Sequence, residues 1–311
     1  MNRKTVHIGI DVSKDTLDLS PFDQKPLCVK NTSAGISSLI ARIKALPDKA
    51  VICCEASGGY EKLLLAMLPA AEIETACVNA RRVRCYAESK GILAKTDKID
   101  ARVIAMFSEN NKPRTIESLP KWHEEMKSLL IRREELHQMR KAEKCRLDPV
   151  PHAAVADLIR EHIIHLGVCI RNIEREIRKL MEKDNDLAEK VKRLSSVNSI
   201  GLIAATSLLA YLPELGSITD NQAAALAGLV PYNRDSGTKK GKRVVHGGRM
   251  RIRNALYMPA VCAIRRNHVW REVYQRLVAK GKPGKVAITA VMRKMVVLAN
   301  RLMADPTFQI S

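Results

Sequence analysis

Apolar positions recur along this chain in three different rhythms. Between residues 5 and 31 the runs are short. Val6-His7-Ile8-Gly9-Ile10-Asp11 is β-branched and closes on an acid, Thr16 to Ser20 alternates, and Pro26 to Asn31 completes a three-strand meander. Ser33 is placed to cap a helix over 34–46, in which Ile36, Leu39, Ile40 and Ile43 share one face. Ala50-Val51-Ile52-Cys53-Cys54-Glu55 reads as a second buried strand, again ending on an acid. Gly58-Gly59 then opens a helix carrying Leu63, Leu64, Met67 and Leu68. A third apolar run spans Ile73 to Val78, and helices follow at about 79–90 and 97–110. Strands first, then strands alternating with helices, predict a mixed α/β sheet with helices packed on it.

The rhythm changes over residues 116–194, where strand signals are few and Pro120, Pro149 and Pro151 interrupt the chain. Leu166, Ile170, Ile173, Ile177 and Leu180 step by four and three, a heptad-like seam with charges between. This predicts a long helical hairpin or a coiled-coil arm pairing between subunits. An amphipathic helix within one bundle would show the same short seam. From residue 195 onward a mainly α region is expected, with a helix at 202–211, a turn at Gly228-Leu229-Val230-Pro231, and helices at about 250–266 and 284–304. Between them, residues 234–249 form a loop rich in Gly, Lys and Arg. The predicted domains are 1–114, 115–194 as a helical arm, and 195–311.

Charge sharpens this division. The net formal charge is +20, and residues 234–311 alone hold 18 Lys/Arg against three Asp/Glu. A segment that basic needs a polyanionic partner, nucleic acid first, since each neutralised phosphate releases counterions. Aromatic residues make up only 4% of the chain, which argues against base-stacking platforms. No run is long and apolar enough to suggest a membrane span or a signal peptide, and the eight cysteines form no C-x-x-C pair. A reduced, cytoplasmic protein is expected, without a zinc site or disulfide frame.

Four acids carry the candidate chemistry. Asp11 and Glu55 each close an apolar strand, and if those strands are neighbours both project from one edge of the sheet. Asp97 and Asp100 are three residues apart, on one face if helical. Carboxylates brought together repel unless cations bind, and Mg²⁺ takes hard oxygen ligands of this kind. Taken singly, each acid also fits a turn, a cap or a solvated helix position. A second candidate is Ser236, in the stretch Arg234-Asp235-Ser236-Gly237-Thr238-Lys239-Lys240-Gly241-Lys242-Arg243. Without an evident base beside it, the residues alone read this serine as a phosphate-binding hydroxyl.

Six segments in order resemble those of one family: Gly9-Ile10-Asp11-Val12-Ser13-Lys14, Glu55-Ala56-Ser57-Gly58, Lys95-Thr96-Asp97-Lys98-Ile99-Asp100-Ala101, Ala227-Gly228-Leu229-Val230-Pro231, Asp235-Ser236-Gly237, and Gly247 through Tyr257. The family is that of insertion-sequence transposases with an RNase H-like (RuvC-like) DEDD domain and a C-terminal serine domain, relatives of the Piv-type DNA invertases. The resemblance implies that Asp11, Glu55, Asp97 and Asp100 are Mg²⁺ ligands and that Ser236 is the nucleophile of a covalent protein–DNA link. It also implies that the two sites act together across subunits of a homodimer or homotetramer on double-stranded target and donor DNA. A bridge RNA that pairs with both DNAs guides many members. Arg234, Lys239, Lys240, Lys242, Arg243, Arg249, Arg251 and Arg253 are then the expected nucleic-acid contacts, in a prokaryotic cytoplasm and at the nucleoid when active. One departure stands out: Asn198-Ser199-Ile200-Gly201 replaces the Pro and first Gly of a Pro-Gly-Ile-Gly turn. If that glycine supplies a positive φ, Ser199 bears a steric cost unless Asn198 takes the position over.

Other functions lack equal support. A metal-dependent junction-resolving nuclease would use the quartet alone. A sugar- or acetate-kinase fold also begins with a strand like Ile8-Gly9-Ile10-Asp11, but no second Gly-rich phosphate loop follows and the basic C-terminal segment is left unexplained. A non-enzymatic nucleic-acid-binding protein would leave the acids without a task.

Overall fold

The computed structural model describes residues 5–22, 25–92, 97–116, 119–232, 241 and 243–308, with the backbone alone at 21–22, 25–26 and 97–99. The chain divides into two units, Met1–Leu119 and Pro120–Ser311.

In the first unit the expected meander forms as β1 (Thr5–Val12), β2 (Thr16–Phe22) and β3 (Lys25–Lys30), all antiparallel. Beyond α1 (Ser33–Lys44), β4 (Lys49–Glu55) returns parallel to β1. Beyond α2 (Lys62–Ala70), β5 (Glu74–Val78) adds parallel to β4. The strand order is therefore β3-β2-β1-β4-β5. Helices α3 (Ala80–Ser89) and α4 (Asp97–Asn111) complete the unit. The cap of α1 is Thr32, one residue earlier than expected, and its side chain accepts from the Gly35 N–H at 3.2 Å.

The period of two in each strand sorts side chains onto two faces. Ile8, Ile10, Leu17, Leu19, Ile52 and Cys54 pack with Ile36, Leu39, Leu64 and Leu68 of α1 and α2. The opposite face joins Cys53, Ala76 and Val78 to Val83 and Ala87 of α3 and to Val103, Ile104 and Phe107 of α4. The sheet is thus covered on both sides, which explains why β1 and β4 read as continuous apolar runs.

In the second unit, α5 (Trp122–Leu147) and α6 (Ala153–Glu182) form an antiparallel hairpin. Arg133 pairs with Glu174 at 2.7 Å, and Glu143 lies 3.5 Å from His162. The seam on α6 faces α5 of the same chain: Leu166 and Ile170 pack on Leu136, while Ile177 and Leu180 join Trp122, Met126 and Leu130. That second group belongs to a core shared with α7 (Asn185–Ser195), α8 (Leu202–Tyr211), α9 (Asp220–Leu226), α10 (Met250–Arg266) and α12 (Gly284–Ala304). The base of the hairpin and the C-terminal helices are therefore packed as one body. Helix α11 (His268–Ala279) lies against this core without burying any residue fully. Two short strands, β6 (Pro231–Tyr232) and β7 (Val244–Val245), pair antiparallel. Among the described residues, no helix is long and apolar enough to cross a membrane.

Candidate active site

The acids of the first unit are brought to one edge by strand register. β1 and β4 pair in parallel as far as Ile10 beside Cys54, so the next step puts Asp11 beside Glu55. Ile8, Ile10 and Cys54 belong to the face covered by α1 and α2. Asp11 and Glu55, out of phase with them, belong to the face covered by α4.

Helix α4 is seated on β1 through a glycine. A Cβ on Gly9 would lie 2.0 Å from the Ala101 carbonyl oxygen and 2.5 Å from the Ala105 nitrogen, so only glycine admits this approach. Two residues earlier, His7 Nδ1 meets Ser108 Oγ at 2.8 Å. The helix therefore runs antiparallel to β1. Two strand residues advance about 6.6 Å, matching about four helical residues at 1.5 Å each. One further step carries Asp11 level with the first turn of α4, which holds Asp97 and Asp100. The side chain of Asp97 lies outside the described residues, and Asp100 is half-buried. Among the described residues, no three His, Cys, Asp or Glu side chains are grouped to hold a metal ion.

A carboxylate outside the predicted four also stands at the end of these strands. Asp18 on β2 stands directly across from Asp11, and Leu17 and Leu19 to either side of it face the opposite core. The alternation from Thr16 to Ser20 carried this signal, because it puts Asp18 in phase with Asp11 across a hairpin. Burial pushes Cys53 up to about 12; the hydrogen bond with Cys77, and then burial, raise Cys54, while the same bond lowers Cys77. Cys53 and Cys54, so disfavoured as thiolates, are poor metal ligands at neutral pH; the donors that close β1 and β4 are carboxylate oxygens. Carboxylate oxygens suit a hard divalent cation such as Mg²⁺ in kind.

In the second unit, β6 and β7 close the stem of the basic loop, with Pro231 across from Val245 and Tyr232 across from Val244. Ser236, Arg234, Lys239, Lys240 and Lys242 lie outside the described residues. Just below the stem two backbone segments cross in contact. A Cβ on Gly228 would lie 2.4 Å from the Gly247 carbonyl oxygen, and one on Gly248 would lie 2.2 Å from the Gly228 nitrogen. Gly228, Gly247 and Gly248 all have positive φ. Arg253 donates across the crossing, to Gly228 O at 3.2 Å and Gly247 O at 3.1 Å.

Two more described arginines of the expected nucleic-acid set also have partners within the fold. Arg249 makes a two-pronged pair with Glu214, both contacts 2.6 Å, and donates to Tyr211 O at 2.9 Å. Arg251 lies 3.4 Å from Glu134 and stacks over the Tyr211 ring. Arg243 is exposed. At the Asn198–Gly201 turn the positive φ falls on Ser199, at 74°, and not on Asn198.

Carboxylates gathered at the end of two parallel strands, on a chain with a strongly basic C-terminal segment, suit an enzyme that works on the phosphodiester backbone. Comparison with known proteins makes the class definite: this is an enzyme of DNA transposition and recombination. Residues 8–150 match the DEDD transposase model of the IS110 type, and residues 191–275 match the model described as transposase IS116/IS110/IS902 family. The chain belongs to that transposase family. It is 26% identical to the pilin gene-inverting proteins of Moraxella lacunata and Moraxella bovis over 304 residues, 94% of each chain. It is also 27% identical over 117 residues to an uncharacterized 43.6 kDa protein of insertion element IS110 from Streptomyces coelicolor, covering 37% of this chain and 29% of that one.

Proposed function

We propose that this transposase cuts and rejoins DNA through an RNase H-like (RuvC-like) carboxylate site and the hydroxyl of Ser236. Asp11, Glu55, Asp97 and Asp100 would hold Mg²⁺, with Asp18 adding negative charge at the same edge. The observation that carries this reading is the register that sets Asp11 beside Glu55 under the first turn of α4. The order β3-β2-β1-β4-β5, with an antiparallel meander joined to parallel strands, supports the RNase H-like assignment. When bound, the ion supplies Lewis-acid stabilisation of charge on the scissile phosphate.

The chain's own residues do the rest. Ser236 Oγ attacks phosphorus; an Oγ–P bond forms as the phosphorus–sugar oxygen bond breaks. The hydroxyl proton ends on the departing sugar oxygen. Attack by a second DNA hydroxyl reverses the step and rejoins the strand, so the phosphodiester energy is conserved. Arg234, Lys239, Lys240, Lys242 and Arg243 would grip backbone phosphates around the serine. Arg249, Arg251 and Arg253 would serve this grip indirectly, by holding the base of the loop. The two sites would act together across subunits of a homodimer or homotetramer, in a prokaryotic cytoplasm. A bridge RNA would supply sequence recognition, which suits a protein rich in cations and poor in aromatics. The similarity to pilin gene-inverting proteins along 94% of the chain favours inversion with protein-read DNA as the second reading.

The test is to trap protein–DNA adducts on a nicked substrate. Wild type should form an adduct that Ser236→Ala abolishes, and Asp11→Asn should bind DNA without cleaving it. Metal-dependent nicking by Ser236→Ala, with no adduct in either protein, would instead establish a hydrolytic nuclease. Sequencing nucleic acid that co-purifies at low salt separates the readings: a discrete RNA encoded beside the gene supports guidance, and its absence supports protein-read inversion.

A further inference from the structure

The β1–β4 ladder ends at Ile10 and Cys54, one residue short of the two strand-end carboxylates. Past that point β1 continues beside β2 and β4 beside β5, so the edge between Asp11 and Glu55 is no longer closed by main-chain pairing. The side chain of Asn31 spans the opening. Asn31 stands between β3 and α1, its backbone N–H donating to Asp15 O at 2.8 Å. Its Nδ2 donates to Ser13 O at 2.9 Å and to Tyr60 O at 3.0 Å. Ser13 lies two residues beyond Asp11, and Tyr60 five beyond Glu55. Both amide hydrogens are thus spent on one link between the two segments, while among the described residues no group donates to the buried Oδ1.

Each linked segment is stiff in itself. The β1–β2 turn is closed by Ser13, whose N–H donates to Thr16 O at 2.9 Å and whose Oγ accepts from Thr16 N at 2.9 Å. The segment after β4 folds around Glu61. Its Oε2 accepts from Gly59 N at 2.8 Å, Ser57 Oγ at 2.9 Å and Ser57 N at 3.2 Å. Burial alone would raise the Glu61 carboxyl, but backbone and side-chain hydrogen bonds outweigh it and hold the group below its ordinary range. Two hydrogen-bonded turns are thus joined, beyond the end of the β1–β4 ladder, by one amide.

We propose that Asn31 is a positioning residue that sets the spacing of the Asp11 and Glu55 carboxylates through the two carbonyls it holds, and so the affinity of this edge for a divalent cation. The inference rests on the metal-binding reading above. It is tested by titrating Mn²⁺ into the full-length protein and following free Mn²⁺ by electron paramagnetic resonance. The proteins compared are wild type, Asp11→Asn, Asn31→Ala and Asn31→Asp, with melting temperatures measured in chelator. Wild type should bind and Asp11→Asn should not. Asn31→Ala should bind about tenfold more weakly, the scale expected when a group supporting a metal ligand is removed.

Asn31→Asp separates geometry from charge. It keeps the side chain's shape, loses both donors and adds a negative charge that by Coulomb attraction alone would strengthen cation binding. Weaker binding by this variant therefore reports lost positioning. If Asn31→Ala does not fold, Asn31→Asp decides the matter. Wild-type affinity in the Asn31 variants, with Asp11→Asn inactive in binding, overturns the role of Asn31 alone. Failure of the wild type to bind Mn²⁺ overturns this proposal and the metal-binding reading together.

Discussion

Ser199 carries a backbone angle that L side chains seldom adopt, φ of 74°, in the turn between α7 and α8. Its hydroxyl donates to Asn198 Oδ1 at 2.9 Å, a local bond that recovers part of the cost. A left-handed residue costs a non-glycine side chain roughly 1–2 kcal/mol. Glycine removes that cost but adds freedom to the unfolded chain, about 0.5–1 kcal/mol in the other direction. Ser199→Gly should therefore stabilise the second unit by up to about 1 kcal/mol, whereas Ser199→Ala keeps the angle, loses the hydrogen bond and gains nothing. Thermal unfolding of the two variants checks this; a lower melting temperature for the glycine variant would remove the strain argument. The departure from a Gly-containing turn was visible in the sequence, and so was the question of which residue absorbs the angle. The answer was not, because φ depends on how the flanking helices leave the turn. Asn31 was still less legible. Its partners lie 18 and 29 residues away, and an Asn after a strand resembles any turn residue.

The element that matters most to the edge is α4, and its seat is Gly9. A β-carbon there would meet the backbone of α4 and not a flexible side-chain end, so the helix must move as a body. Gly9→Ala should cost at least the 1–3 kcal/mol typical of overpacking a filled core and should displace the turn that bears Asp97 and Asp100. Gly167→Ala is the matched control, since a β-carbon there finds only the ends of Arg171 and Arg140 at 3.7 and 3.9 Å. Alanine in mid-helix is favoured over glycine by roughly 0.8–1 kcal/mol, so this change should raise stability. Urea unfolding of both proteins checks the contrast; equal stabilities would mean that α4 is not held this tightly. Helix α6 was legible because its buried face repeats, and β1 and β4 because short unbroken apolar runs mark strands buried on both faces. Helices α9 and α11 were not. The first has seven residues, three of them alanines with little periodic contrast, and the second buries no residue fully, so neither presents a strong apolar stripe. The pairing of β6 with β7 is two residues long, too short for alternation to register.

At the scale of the whole molecule, it is the second unit's stability that should answer to mild acid. The second unit carries two histidines on α5 whose ionisation the fold resists. His123 is completely buried, and burial lowers its pKa, reinforced by Lys127 and opposed by Glu124, whose Oε1 stands 3.5 Å from Nδ1. Among the described residues, neither ring nitrogen has a hydrogen-bond partner of good geometry. His137 is lowered too, by burial first and then by the cations of Arg133 and Arg140. In the unfolded chain both return to about 6.5. The unfolded state then binds more protons as pH falls through that value, and stability drops with it. The stabilisation is complete above about pH 6.5 and is lost as the pH descends toward the depressed folded values, before most carboxylates titrate near pH 4. Scanning calorimetry of the full chain between about pH 7.5 and 5.5 should therefore show the transition of the second unit moving down in temperature on acidification. His123→Phe keeps a planar ring, removes the titration and leaves no unpaired ring nitrogen, so it should flatten that slope and raise the transition most at the acid end. A slope unchanged in His123→Phe and in a parallel His137→Phe would mean that the acid sensitivity of this unit arises elsewhere.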